Sequence, residues 1–204
     1  MSPFARVLFL PGAAGEGRFW AGVAERLPGS WERCSLDWPG LGRVPGRPGI
    51  DGLADLARLA VEAAGAGPAD LVAQSMGGVV ALMVALTRPD LVRRLVLAAT
   101  SGGLDLAPFG AAEWREEYAR EYPDAAPWIR EERVDLSARL ATVRAPTLLL
   151  WSDADPISPL AVGRRLATLL PAARLVVVPG LDHAFARDRP DLVAPHVQAH
   201  LESP

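Results

Sequence analysis

Nine serines occur in this 204-residue chain, and one of them stands where a hydroxyl can be made reactive. In Ala73-Gln74-Ser75-Met76-Gly77, Ser75 has small residues two places to either side. An apolar run, Leu71-Val72-Ala73, leads into it, and a second run opening with Gly77-Gly78 follows at once. A strand that turns sharply into a helix needs such small neighbours, and it thrusts the serine out above the helix N-terminus. A serine hydroxyl is a poor nucleophile until a base takes its proton, and imidazole titrates near the right pH for that task. Of the three histidines, His183 directly follows an apolar run and Gly180, the setting of a loop at a strand end. A carboxylate is then needed to fix the imidazole tautomer. Asp153 and Asp155, in Trp151-Ser152-Asp153-Ala154-Asp155, are both placed for it. A second small-x-Ser-x-small match surrounds Ser101, but Gly102-Gly103 follows it and no helix does, so Ser101 reads as a loop residue.

These residues need a frame. Strand patterns occur at Ala5–Leu10, Trp31–Leu36, Ala69–Gln74, Arg93–Ala99, Pro146–Trp151 and Arg174–Val178. Helical patterns alternate with them at Arg18–Leu27, Gly52–Ala64, Met76–Thr87, Pro159–Leu170 and Pro190–Leu201. Five of the strands are nearly all apolar, which predicts a parallel sheet covered by helices on both faces, a doubly wound α/β fold. Trp31-Glu32-Arg33-Cys34 is more polar and is expected at an edge, blunted by its charges. The alternation breaks once, at residues 101–144, where helices are expected at Ala111–Glu121 and Arg130–Leu140. An insertion at the carboxyl ends of the strands reads as a cap over a site. The whole chain is expected to be one domain carrying that cap.

With these motifs in order, the chain resembles the α/β-hydrolase superfamily. Phe9-Leu10-Pro11-Gly12-Ala13 is similar to the family's oxyanion loop, and Asp37-Trp38-Pro39-Gly40-Leu41-Gly42 to the loop after its next strand. The stretch Trp151 to Pro159 resembles the acid loop, and Gly180 to Phe185 the histidine loop. The resemblance implies a triad of Ser75, Asp155 and His183, in the chain order of this fold. The family's acid precedes an x-Ile/Val-x-Pro stretch, here Pro156-Ile157-Ser158-Pro159, which favours Asp155 over Asp153. It further implies an oxyanion hole from the backbone N–H groups of Ala13 and Met76. The chain departs from the family in two ways. Pro11 stands where many members have histidine, and no antiparallel hairpin precedes the first strand, so about six strands, mostly parallel, are expected. Trp20, Trp38, Leu41, Met76, Trp114, Trp128, Ile157 and Phe185 are candidates to line an apolar pocket under the cap.

The reaction this implies is hydrolysis of a small-to-medium, mainly apolar ester or thioester through an acyl-enzyme. Two readings compete: a lyase like the menaquinone-pathway member of the family, with Arg115, Arg120, Arg130, Arg133 and Arg139 as its anion site, and a non-catalytic ligand receptor on the same fold. Composition narrows the rest. Half the residues are apolar and the net charge is −3, with no footprint for nucleic acid or an anionic membrane. The longest apolar stretch, Gly77 to Leu86, is half of a membrane span, and the block Val7 to Leu10 is too short for a signal peptide. The single cysteine, Cys34, excludes an internal disulfide and a cysteine-based zinc site. All 21 basic residues are arginine, so no Schiff base or lysine base is available. His196 and His200 lie four apart without a third ligand and read as an exposed helical face. The expectation is a cytoplasmic protein with a small-molecule substrate and neither cofactor nor metal, its polar edge strand open to a homodimer contact.

Overall fold

The computed structural model describes residues 6–203. Six strands form one parallel sheet in the order β2-β1-β3-β4-β5-β6. They are β1 (Arg6–Leu10), β2 (Glu32–Ser35), β3 (Ala69–Gln74), β4 (Val92–Ala98), β5 (Thr147–Ser152) and β6 (Ala173–Val178). Ala5, expected to open the first strand, lies outside the described residues. Alternation along the strands sorts the core into two layers. Leu8, Leu10, Leu71, Ala73, Leu95, Leu97, Leu149 and Trp151 meet α2 (Leu53–Ala64), α3 (Met76–Thr87) and α6 (Leu160–Leu169). Val7, Phe9, Val72, Val96, Ala98, Leu148 and Leu150 meet α1 (Ala21–Arg26), α7 (Phe185–Asp188) and α8 (Pro190–Glu202) on the other face. The helix α3 is buried along most of its length, as its uniformly apolar sequence requires.

The chain enters at β1, steps out to β2 and then crosses back to β3. The crevice between β1 and β3 is therefore the switch point of the sheet, the place where open α/β sheets bind ligands. Both β2 and β6 are edges. The polar β2 was expected there, but β6 corrects the idea of five fully covered strands, since its residues are mostly half-exposed and Val177 is 40% exposed. An outermost strand has no further neighbour to extend the helical layers across it.

The insertion between β4 and β5 differs most from expectation. The helix α4 covers Arg115–Glu121, not Ala111–Glu121. Instead of a helix over Arg130–Leu140, one turn, α5 (Trp128–Glu131), is followed by extended chain and a 3₁₀ turn at Leu140–Thr142. Packing explains the change: Leu136 is buried in the core, and its amide bonds the Gly103 carbonyl at 3.0 Å. Asp135 accepts the Ser137 amide at 2.9 Å, a local side-chain turn that competes with helix. The insertion lies across the loops at the carboxyl ends of the strands. The Ala126 amide bonds Gly40 O at 2.8 Å, Ala112 bonds Pro156 O at 2.8 Å, and Glu132 accepts the Leu53 amide at 2.8 Å.

Candidate active site

Ser75 joins β3 to α3 with φ +52° and ψ −123°, a conformation that L residues rarely adopt. Strain of this kind costs roughly 1–3 kcal/mol and persists only where the surroundings enforce it. They do so here. The Ser75 amide bonds Ala98 O on β4 at 2.9 Å, and its carbonyl accepts the Gly78 amide at 2.9 Å. Side chains at the neighbouring glycines would prevent the turn. A Cβ on Gly77 would strike the Leu10 and Pro11 carbonyls, and one on Gly78 would lie 2.6 Å from Thr100 Cβ. The small residues flanking Ser75 in the sequence are thus contact points for β1 and β4.

His183 arrives from the loop after β6. Its Nε2 lies 3.0 Å from Ser75 Oγ, and its Nδ1 lies 2.7 Å from Asp155 Oδ2. Asp155 is 4% exposed, and its other oxygen accepts the amides of Ile157 (2.8 Å) and Ser158 (3.0 Å). Asp153 points elsewhere: it is exposed, and it accepts the Gly180 amide at 2.7 Å. Of the two aspartates, then, the structure brings Asp155 to the imidazole and uses Asp153 to tie the acid loop to the histidine loop. Ser152, not noticed in the sequence, reinforces that tie: its hydroxyl donates to Leu181 O and accepts the Leu181 amide at 3.1 Å. Ser101 bonds the Gly103 amide within its own loop, at 3.2 Å.

The loop after β1 is held almost carbonyl by carbonyl. Leu10 O takes the Trp20 indole N–H at 3.0 Å, and Pro11 O takes the Trp38 indole N–H at 2.7 Å. Gly12 O takes the Gly15 amide at 3.0 Å, and Ala13 O takes the Tyr118 phenol at 2.9 Å. Among the described residues neither the Ala13 nor the Met76 amide has a partner within the chain, and Met76, first in α3, has no acceptor one turn earlier. Two main-chain amides, one on the loop after β1 and one at the start of α3, are thus without a partner among the described residues.

These contacts revise the pocket candidates. Trp20, Trp38, Leu41 and Phe185 are fully enclosed and present no wall to a ligand. The two indoles are loop supports, and a sequence shows that a tryptophan is available without showing where its N–H goes. Met76, Trp114, Trp128 and Ile157 are half-buried around the strand ends. Trp114 packs edge-on against Tyr118, 5.6 Å between centroids, and the Arg115 guanidinium lies over its ring, 4.8 Å from the centroid. The Trp128 indole N–H is buried without a partner. A correction falls on His200, expected on an exposed face: it is 5% exposed, with Nε2 3.2 Å from Pro146 O. Among the described residues no cluster of three metal-ligating side chains occurs, and no helix is long and apolar enough to cross a membrane. Surface grooves of about 310 Å³ beside Arg26, Asp191 and Gln198 and about 460 Å³ beside Arg144 and Pro171 contain none of the Ser75 group. Chemistry, not concavity, marks this site.

The family model described as the alpha/beta hydrolase fold matches residues 5–132. The chain belongs to that family. It is a hydrolytic enzyme of the alpha/beta hydrolase fold. A second model, described as TAP-like protein, matches residues 111–204. Pimeloyl-[acyl-carrier protein] methyl ester esterase of Neisseria meningitidis serogroup C is 29% identical over 225 aligned positions, covering 88% of this chain and 86% of that protein. An uncharacterized protein of Mycobacterium tuberculosis is 33% identical, over 87% of this chain and 62% of its own length. The crystal structure of a hydrolase from Pseudomonas aeruginosa superposes with a TM-score of 0.79 at 22% identity, over 100% of this chain and 92% of that one, a likeness of fold.

Proposed function

We propose that this alpha/beta hydrolase is a serine esterase working through an acyl-enzyme, with Ser75 as nucleophile, His183 as general base and acid, and Asp155 as the carboxylate that orients it. The observation that carries the reading is the unbroken chain of contacts from Asp155 Oδ2 to His183 Nδ1 (2.7 Å) and from His183 Nε2 to Ser75 Oγ (3.0 Å). Asp155 accepts a hydrogen bond from Nδ1–H and so keeps the proton on that nitrogen, which leaves the Nε2 lone pair facing the hydroxyl. As Ser75 Oγ attacks the ester carbonyl, Nε2 takes its proton. The carbonyl oxygen becomes an alkoxide and is received by the Ala13 and Met76 amides, main-chain donors already fixed in place. His183 then gives its proton to the departing alcohol. A water repeats the sequence against the acyl-serine and releases the acid. Removal of a single oxyanion-hole donor costs roughly 10²–10³ in rate where a side-chain donor has been deleted in other enzymes.

Ester hydrolysis is favoured by the esterase relative, whose substrate is named as a methyl ester on an acyl-carrier protein. Carboxylic esters are accordingly the substrate class proposed, and residues 101–144 are proposed as the cap over them. Three of the five arginines considered for a lyase's anion site bond within the chain, although Arg115 Nε is buried without a partner. Arg115 pairs with Glu113, Arg133 bonds the Arg130 and Glu132 carbonyls, and Arg139 reaches Leu86 O. The test is a panel of chromogenic esters and thioesters of graded acyl length beside a fluorophosphonate label. Ser75→Ala should lose turnover and labelling together while Ser101→Ala keeps both. Turnover that survives in Ser75→Ala would overturn the proposal.

A further inference from the structure

Of the four donors that hold the carbonyls from Leu10 to Ala13, three come from the body of the fold. The fourth is Tyr118, the central residue of α4 in the insertion. Its phenol donates to Ala13 O at 2.9 Å and accepts the Gly42 amide at 2.9 Å, so one hydroxyl joins three segments: the loop after β1, the loop after β2, and the cap. The bond is built for this place. Tyr118 is 7% exposed and stands between Trp114 and Tyr122, with centroids at 5.6 and 5.0 Å. Gly42 sits at φ +56° directly against Ala14, where any side chain would strike the Ala14 carbonyl. Removal of the phenol would leave a half-buried amide and a half-buried carbonyl without their protein partner at the same moment.

Ala13 matters because its N–H is the donor assigned to the oxyanion. Its two neighbouring peptide planes are anchored on opposite sides: Gly12 O by the Gly15 amide and Ala13 O by the phenol. With both carbonyls fixed, the Ala13 amide has one direction. The N–H itself lies in the preceding plane, with Gly12 O, and that plane is hinged at the Ala13 Cα. Released from Tyr118, the segment from Ala13 onward can shift, and the Cα on which the N–H plane hinges moves with it. We infer that Tyr118 is a positioning residue of the oxyanion hole, so that the cap does more than roof the site: docking of α4 assembles the donor that stabilises the transition state. The inference rests on the assignment of Ser75 and Ala13 made above. The loop is fastened by aromatic donors from three other elements, Trp20, Trp38 and Tyr118. Burial raises the Tyr118 pKa above that of an ordinary phenol, which keeps the donating proton in place.

The test compares catalysis with transition-state affinity. Tyr118→Phe keeps the ring and its neighbours and removes the hydroxyl alone. On a short-chain ester, kcat should fall roughly 10- to 100-fold with KM changed less than about threefold, below the full loss of an oxyanion donor. The inhibition constant of a trifluoromethyl ketone, which forms an oxyanion on the serine, should rise by the same factor as kcat falls. A latch that merely held the cap down would instead raise KM and leave the parallel between kcat and ketone affinity absent. Unchanged kcat, or reduced kcat with undiminished ketone affinity, overturns the inference. Should Tyr118→Phe not fold, a trifluorotyrosine at position 118 serves. Its phenolate can still accept the Gly42 amide but cannot donate to Ala13 O, so kcat must drop as that phenol ionises. A flat profile there overturns the inference as well. Ser75→Ala separates the two levels: turnover retained in that variant removes the nucleophile assignment, whereas turnover lost there and untouched in Tyr118→Phe removes the role of Tyr118 alone.

Discussion

The two ends of the sheet each hold a buried polar cluster with a histidine, and they are finished differently. At the carboxyl ends, Ser75 is strained, two amides have no partner among the described residues, and His183 faces a hydroxyl on one side and a carboxylate on the other. At the amino ends, Asp70 is fully buried and paired with Arg93, which also bonds Leu201 O. Arg94 bonds His200 O and the Ser203 carbonyl, and His200 bonds Pro146 O. That cluster ties the end of α8 to β3, β4 and β5 and spends its donors on the chain itself, leaving one buried acceptor, Asp70 Oδ1, without a partner. A polar cluster becomes a site when its geometry reserves capacity for a visitor; otherwise it is a fastening.

The largest expected difference between the two ends concerns their carboxylates. Asp155→Asn should reduce kcat by about 10⁴-fold, because an amide stabilises the wrong imidazole tautomer, with the urea midpoint little changed. Asp70→Asn should do the reverse. Loss of the hydrogen bond to Arg93 should cost about 1 kcal/mol in urea unfolding. Burial raises the Asp70 pKa more than Arg93 lowers it, so removal of the charge offsets part of that loss, and the Arg93 side chain, 34% exposed, can reach water. Its kcat should stay within about twofold. If both substitutions affected activity alike, the contrast between site and fastening would collapse.

The same contrast explains what could be read from sequence. The strand ends were legible because apolar runs locate them to within a residue or two, and Ser75, Asp155 and His183 each stand just past such a run. The Met76–Thr87 helix was legible to the residue, since Ser75 and Arg88 bound it with non-helical geometry. The insertion was not. Its helices are one or two turns long, and short helices are set by tertiary contacts such as Leu136 under Gly103, not by periodicity. Polar fastenings escaped for a related reason. His200 and Trp38 find their partners, Pro146 O and Pro11 O, 54 and 27 residues away, and carbonyl acceptors leave no mark in a sequence.

A smaller effect should sharpen the boundary between the insertion, proposed as a cap, and the body. Trp114 lies half-buried at the strand ends against Tyr118. Each buried methylene contributes about 0.8 kcal/mol, so kcat/KM should climb about fourfold per carbon until the space is full and then fall. Trp114→Ala should move that optimum toward longer acyl chains, checked on the straight-chain ester series. An unmoved optimum would place the acyl group away from the cap. Asp153→Asn should cost only a few-fold in kcat, because the aspartate holds Gly180 and touches no reacting group.

The smallest expected effect separates the two histidines by pH. Burial, followed by the positive charge of Arg174, lowers the His200 pKa from its ordinary value; Arg94 acts in the same direction, and the Pro146 carbonyl opposes them. The folded protein therefore holds His200 neutral at pH values where the unfolded chain, titrating near about 6.5, already binds a proton. The sign follows by linkage. Above the unfolded value neither state is protonated at this position and the stability is complete. As pH falls through it, the unfolded state gains the proton first, so stability declines until the lowered folded pKa is reached and then levels off. The decline amounts to at most about 1.4 kcal/mol per pH unit within that window. Urea unfolding of the wild type should show this slope below neutral pH, and His200→Gln, whose side-chain amide can still donate to Pro146 O, should flatten it. The pH dependence of kcat/KM should keep its shape in the same variant, because His200 stands at the opposite end of the sheet from Ser75. A variant that altered the kcat/KM profile but kept the stability slope would mean that the two ends are coupled through the sheet.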